Sequence, residues 1–133
     1  MRWLFKFYET EDGESQPKTW YEEQLRTVRA AFDGELFRLA LKKDMPESRS
    51  WRVPGYREVL EIAMELQWRD GAMKASAIGF WLKDSPNFVV LLCCEEVNGD
   101  YDPPLYQALE LRKACDNHKG RIYDHIPADE PND

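Results

Sequence analysis

The chain has 133 residues, a formal charge of -7, and 43% hydrophobic, 13% aromatic and 32% charged residues. That length suits one domain with a single core, and its 5 Trp, 6 Tyr and 6 Phe exclude a disordered acidic chain. The acidity excludes a protein that coats nucleic acid or anionic lipid through bulk charge, because both would repel it at long range. A local basic site remains compatible with it.

Residues 3–8 alternate as a strand, with Trp3, Phe5 and Phe7 on one face. After the Glu11-Asp12-Gly13 turn and Pro17, Thr19-Trp20-Tyr21-Glu22 reads as a capping box, and Trp20, Leu25, Val28 and Phe32 recur at helical spacing up to Asp33-Gly34. A second helix is expected over 35–43, its apolar face made by Leu36, Phe37, Ala40 and Leu41, so that the two form a hairpin. Pro46, Ser48, Ser50 and Pro54 mark residues 44–55 as a loop, and 56–63 reads as a short turn or helix.

From Ile62 the apolar period becomes two, predicting a strand that ends near Arg69 and a hairpin at Asp70-Gly71. The partner strand covers 73–82, with Ile78, Phe80 and Leu82 on one face and Met73, Ala75, Ala77 and Trp81 on the other. Asp84-Ser85-Pro86-Asn87 then leads into 88–94, whose unbroken apolarity marks the centre of the sheet. Asp102 with Pro103-Pro104 opens a last helix ending before Gly120, Arg121-Ile122-Tyr123 suits an edge strand, and an acidic tail is expected over 127–133 after a single domain of 1–126.

Chemistry-bearing side chains are few. The three cysteines, Cys93, Cys94 and Cys115, are odd in number with two adjacent, which makes no disulfide framework and points to a reducing cytoplasm. Neither His118 nor His125 stands at ligand spacing from the thiols, so no metal or cofactor is expected. No apolar run approaches a bilayer span, and Lys6 interrupts the opening segment, so no membrane partner is expected either.

The order of strand, two helices, three-stranded antiparallel meander and closing helix, an α+β arrangement, resembles the RelE/ParE superfamily of bacterial toxins, in its HigB-type, phage-derived branch. The resemblance rests on Phe5-Lys6-Phe7-Tyr8-Glu9-Thr10-Glu11-Asp12-Gly13, Lys18-Thr19-Trp20-Tyr21-Glu22-Glu23, Glu65-Leu66-Gln67-Trp68-Arg69, Ile78-Gly79-Phe80-Trp81, Phe88-Val89-Val90-Leu91-Leu92 and the segment from Tyr101 to Ala108. It implies a RelE-like fold and the toxin of a toxin-antitoxin pair, with a helix-turn-helix antitoxin as partner. It further implies an endoribonuclease that cuts messenger RNA at the ribosome without a metal or cofactor.

Such cleavage has a 2'-hydroxyl attack the adjacent phosphate, and so requires cations, a proton acceptor and a ring to stack on a base. The positions that match are Arg69 as a phosphate-binding cation and Tyr106 as the catalytic tyrosine, with Lys74 standing in beside Ala75-Ser76, where the family carries Tyr-Arg. Lys42, Lys43, Arg49 and Arg52 offer RNA contacts. Glu95-Glu96 replaces the family's basic pair after the central strand and becomes a candidate general base. The alternative reading is an inactive RelE-like module that keeps only a protein contact, and a charge mimic of nucleic acid is a third.

Overall fold

In the computed structural model, residues 2–95 and 102–127 are described. The elements in chain order are β1 (Leu4–Glu9), α1 (Gln16–Glu23), α2 (Arg26–Ala40), β2 (Arg49–Trp51), β3 (Val59–Trp68), β4 (Gly71–Trp81), β5 (Asn87–Glu95), α3 (Asp102–Asp116) and β6 (Arg121–Asp124). The class is α+β, built on one six-stranded mixed sheet of order β2-β3-β4-β5-β1-β6. The meander β3-β4-β5 is antiparallel, β1 runs parallel to β5, and β6 closes the far edge antiparallel to β1. Among the described residues no helix is long and apolar enough to cross a membrane.

The side-chain period of two sorts each strand between two cores. Phe7, Ile62, Met64, Leu66, Ala75, Ala77, Phe88, Val90 and Cys93 pack under α1 and α2, where Tyr21, Val28, Phe32, Leu36 and Leu39 meet them. Tyr8, Val59, Ile78, Phe80, Val89, Leu91 and Leu92 pack on the other side under Leu105, Ala108 and Leu109 of α3. The two layers of helix therefore bury both faces of β5, as its continuous apolarity requires.

One irregularity decides which way the end of β5 faces. Ile78 pairs with Leu92 but Gly79 pairs with Val90, so Leu91 is an extra residue, and Leu91 and Leu92 both face α3. Past this bulge the alternation of β5 is inverted.

Four sequence expectations are corrected. The helical break falls at Gln24-Leu25, and α2 runs through Asp33-Gly34 to Ala40. Asp33 does not compete for the helix backbone because its carboxylate is taken by Tyr21 and His125. Residues 59–61 belong to β3 rather than to a turn or helix, and the expected loop 44–55 contains the short edge strand β2. The first helix begins at Gln16, with Pro17 in its first turn and no side-chain cap from Ser15. Most of the expected tail, 128–133, lies outside the described residues.

Where β5 outruns β1, its open edge is closed by a side chain. The Gln16 amide donates to the Cys93 carbonyl at 2.7 Å and accepts from the Cys93 N–H at 2.6 Å, as a paired strand would.

Candidate functional site

Helix α3 covers only part of its side of the sheet, over Val59, Ile78 and Phe80. Beyond it, Ala63, Glu65, Gln67, Ala72 and Lys74 are exposed. Glu65 pairs directly with Lys74, and these two with Gln67, Ala72 and Met73 line a depression of about 210 Å³. Farther along the same face is a buried polar pair: Glu61, only 5% exposed, accepts a hydrogen bond from the Ser76 hydroxyl at 2.9 Å. Arg49, opposite Glu61 on β2, lays its guanidinium 4.3 Å from the centre of the Trp51 ring.

Cys94 pairs with Ser76 on this same face. Burial, with the Glu61 charge added, pushes its thiol up to about 11, and burial likewise raises Cys93 well above the usual thiol range. The thiolate is the nucleophile, so Cys94 should react with iodoacetamide at pH 8 on the order of a hundredfold more slowly than a free cysteine. The folded state holds a proton that the unfolded chain releases above about pH 9, so this thiol stabilises the fold below that pH. Its contribution should fade as pH rises from 9 toward 11, read as a falling urea midpoint over that window. Alkylation at the free-thiol rate in the folded protein would contradict the assigned burial.

Of the residues singled out in the sequence, Arg49, Lys74 and Tyr106 come to the α3 side of the sheet. Tyr106 is 52% exposed, so its ring does not pack into the core. It stands one turn before Glu110, whose carboxylate accepts from the Tyr56 hydroxyl at 2.6 Å, and this places it on the flank of α3 that meets the β2–β3 connection. The Glu110 carboxylate and, less strongly, Tyr106 raise the Tyr56 hydroxyl. Arg69 lies at the β3–β4 turn, exposed beyond the depression, and Arg52 is exposed just after β2.

Three candidates fall elsewhere. Lys42 and Lys43 follow the end of α2 on the opposite side of the sheet, where the Lys42 carbonyl accepts from Trp3 Nε1 at 3.0 Å. Glu95 pairs with Ala75, whose side chain is buried under the helix pair, so the bulge turns Glu95 away from Lys74. Glu96 lies outside the described residues. The carboxylates that share a face with Lys74 are Glu61 and Glu65; strand parity from Val59 onward marks them, once β3 is seen to begin there.

A second cluster joins three elements. Tyr21 of α1 donates to Asp33 Oδ2, and His125, just past β6, meets Asp33 Oδ1 through Nε2 at 2.7 Å. The imidazole stacks on Phe7 with centroids 4.5 Å apart and an interplanar angle of 17°, and meets the Tyr21 ring edge-on at 4.6 Å. Beside it lies a cavity of about 340 Å³ whose walls include Phe7, Tyr21, Tyr123 and Ile126. His125 reads in sequence as a residue of a solvated end, and nothing local signals its partner Asp33, 92 positions away.

Compared with protein-family models, curated proteins and solved structures, the chain matches none of them. The functional reading therefore rests on these side chains.

Proposed function

We propose that the chain is a RelE/ParE-type toxin of RelE-like fold, acting on messenger RNA through the uncovered α3-side face of its sheet and held in check by an antitoxin partner. The observation that carries this reading is the pairing of Lys74 with Glu65 on an open face of the sheet, with Arg49 on the same side at β2 and Tyr106 exposed on α3, the helix that packs on that side. Lys74 supplies a cation for the scissile phosphate, and Glu65 an exposed carboxylate to take the 2'-hydroxyl proton. Arg49 and Arg69 are placed to hold flanking phosphates, and the exposed Tyr106 ring to stack on a base. With Glu95 turned to the other face, its own charge does not oppose the phosphate.

The carboxylates still set a limit. A unit charge about 4 Å away is worth on the order of 4 kcal/mol at an effective dielectric of 20, so Glu65 offsets much of what Lys74 contributes in the ground state. Activity is expected only where RNA is delivered already positioned, as on a ribosome. Induction of the wild-type chain should arrest growth, and the purified chain should cut messenger RNA in a ribosome-containing reaction. Lys74→Ala should lower the cleavage rate about 100-fold, the effect of removing one transition-state donor. Unimpaired growth with no cleavage by the wild type would sink this reading.

The inactive protein-interaction module is the second reading. The near balance of Arg49 and Lys74 against Glu61 and Glu65 favours it.

A further inference from the structure

A helix lying on a sheet normally turns polar side chains to solvent. Helix α2 does not. Opposite its buried face, Ala30, Gly34, Phe37 and Leu41 follow one another at spacings of three and four, all exposed, with Phe37 at 57% and Leu41 at 59%. A Cβ built on Gly34 would meet nothing within 4 Å, so the middle of the stripe is flat and open.

The border is basic, in a chain whose net charge is -7. Arg2 lies 5.3 Å from the centre of the Phe37 ring, Arg38 pairs with Glu35 along the helix, and the exposed Lys42 and Lys43 stand at the C-terminal end, with Asp44 as the one acid beside them. Asp33, the other acid in this part of α2, is directed inward to Tyr21 and His125.

We propose that this stripe docks an acidic amphipathic helix of a separate protein. From Ala30 to Leu41 the stripe is about 16 Å long, three turns of a helix laid alongside. Apolar residues at i, i+3, i+4 and i+7 of the partner would cover Phe37 and Leu41, and Glu or Asp flanking them would meet the basic border. A second copy of this chain is the poorer occupant, because a two-fold interface would set the same cations against themselves. RNA is poorer still, since the centre of the stripe has no polar group. The surface lies across the sheet from the Lys74 face, so it stands or falls independently of RNA cleavage.

The test uses the full chain and two labelled synthetic helices, one of Leu with Glu and the other identical but with Lys for Glu, read by fluorescence anisotropy. The Glu helix should bind, more weakly as salt rises, and the Lys helix at least tenfold less tightly. Phe37→Glu and Leu41→Glu should each weaken binding tenfold or more, the loss expected on truncating a central anchor. Their urea midpoints should stay close to wild type, because both side chains are more than half exposed. Equal binding of both helices, undiminished binding by the variants, displacement by heparin alone, or a concentration-dependent dimer in sedimentation would each overturn the proposal.

Discussion

Replacing Gly79 with alanine should remove most or all of the stability of the fold. A Cβ there would stand 1.7 Å from the Val89 carbonyl oxygen and 2.8 Å from the Val89 carbonyl carbon. Both are backbone atoms of β5, and β5 is held between β4 and β1, so neither strand can yield without breaking a ladder. Gly79 also sits where the pairing steps from Leu92 to Val90, and the bulge brings the two backbones together. The cost is expected at about 4 kcal/mol or more, a large share of the 5–15 kcal/mol typical of a whole domain. Urea titration followed by tryptophan fluorescence would show a lost or strongly lowered transition. Gly34→Ala is the matched control: in mid-helix with open space around it, it should raise stability by about 0.5–1 kcal/mol. A Gly79→Ala protein as stable as wild type would refute the close approach.

The same bulge explains why part of the site was not legible. Counting by twos from Val89, whose side chain faces α3, puts Glu95 on the α3 side with Lys74. The inserted Leu91 reverses that parity, and no side chain near it announces the change, because Leu91 and Leu92 are equally apolar. Lys74 is singled out only by the resemblance, but its face follows from the sequence, because β4 alternates plainly on its helix-pair side from Met73 to Ala77. Glu61 falls outside a strand that starts at Ile62, whereas Glu65 lies inside it, opposite in parity to Ile62, and carries no local mark that sets it apart from a solvated strand position. The buried Glu61 at a position expected to be apolar or turned to solvent hid the true start, since its partner Ser76 lies on the next strand. Local pattern also carried the meander and α3, whereas the parallel pairing of β1 with β5 joins residues more than eighty apart and leaves no trace in either segment.

The helical break shows the same limit from the energetic side. Asp33-Gly34 is a turn signal in isolation. Here the helix continues because tertiary contacts take the Asp33 carboxylate, and those contacts predict the second large effect. Removing the imidazole in His125→Ala deletes the stacking on Phe7, opens a void beside Tyr21 and Phe32, and leaves Asp33 Oδ1 without its partner in a largely buried site. Losses of this kind sum to about 2–4 kcal/mol. Tyr21→Phe, which removes one hydroxyl and keeps the ring, should cost about 1 kcal/mol. Because His125 follows β6 directly, the loss should appear first as faster amide exchange at Arg121–Asp124, ahead of the meander. A double-mutant cycle of His125→Ala with Asp33→Ala should give a coupling of about 1–3 kcal/mol, since each variant removes the same contact. Strictly additive effects, or a His125→Ala cost under about 0.5 kcal/mol, would mean that the C-terminal segment is fastened by the β6 ladder alone.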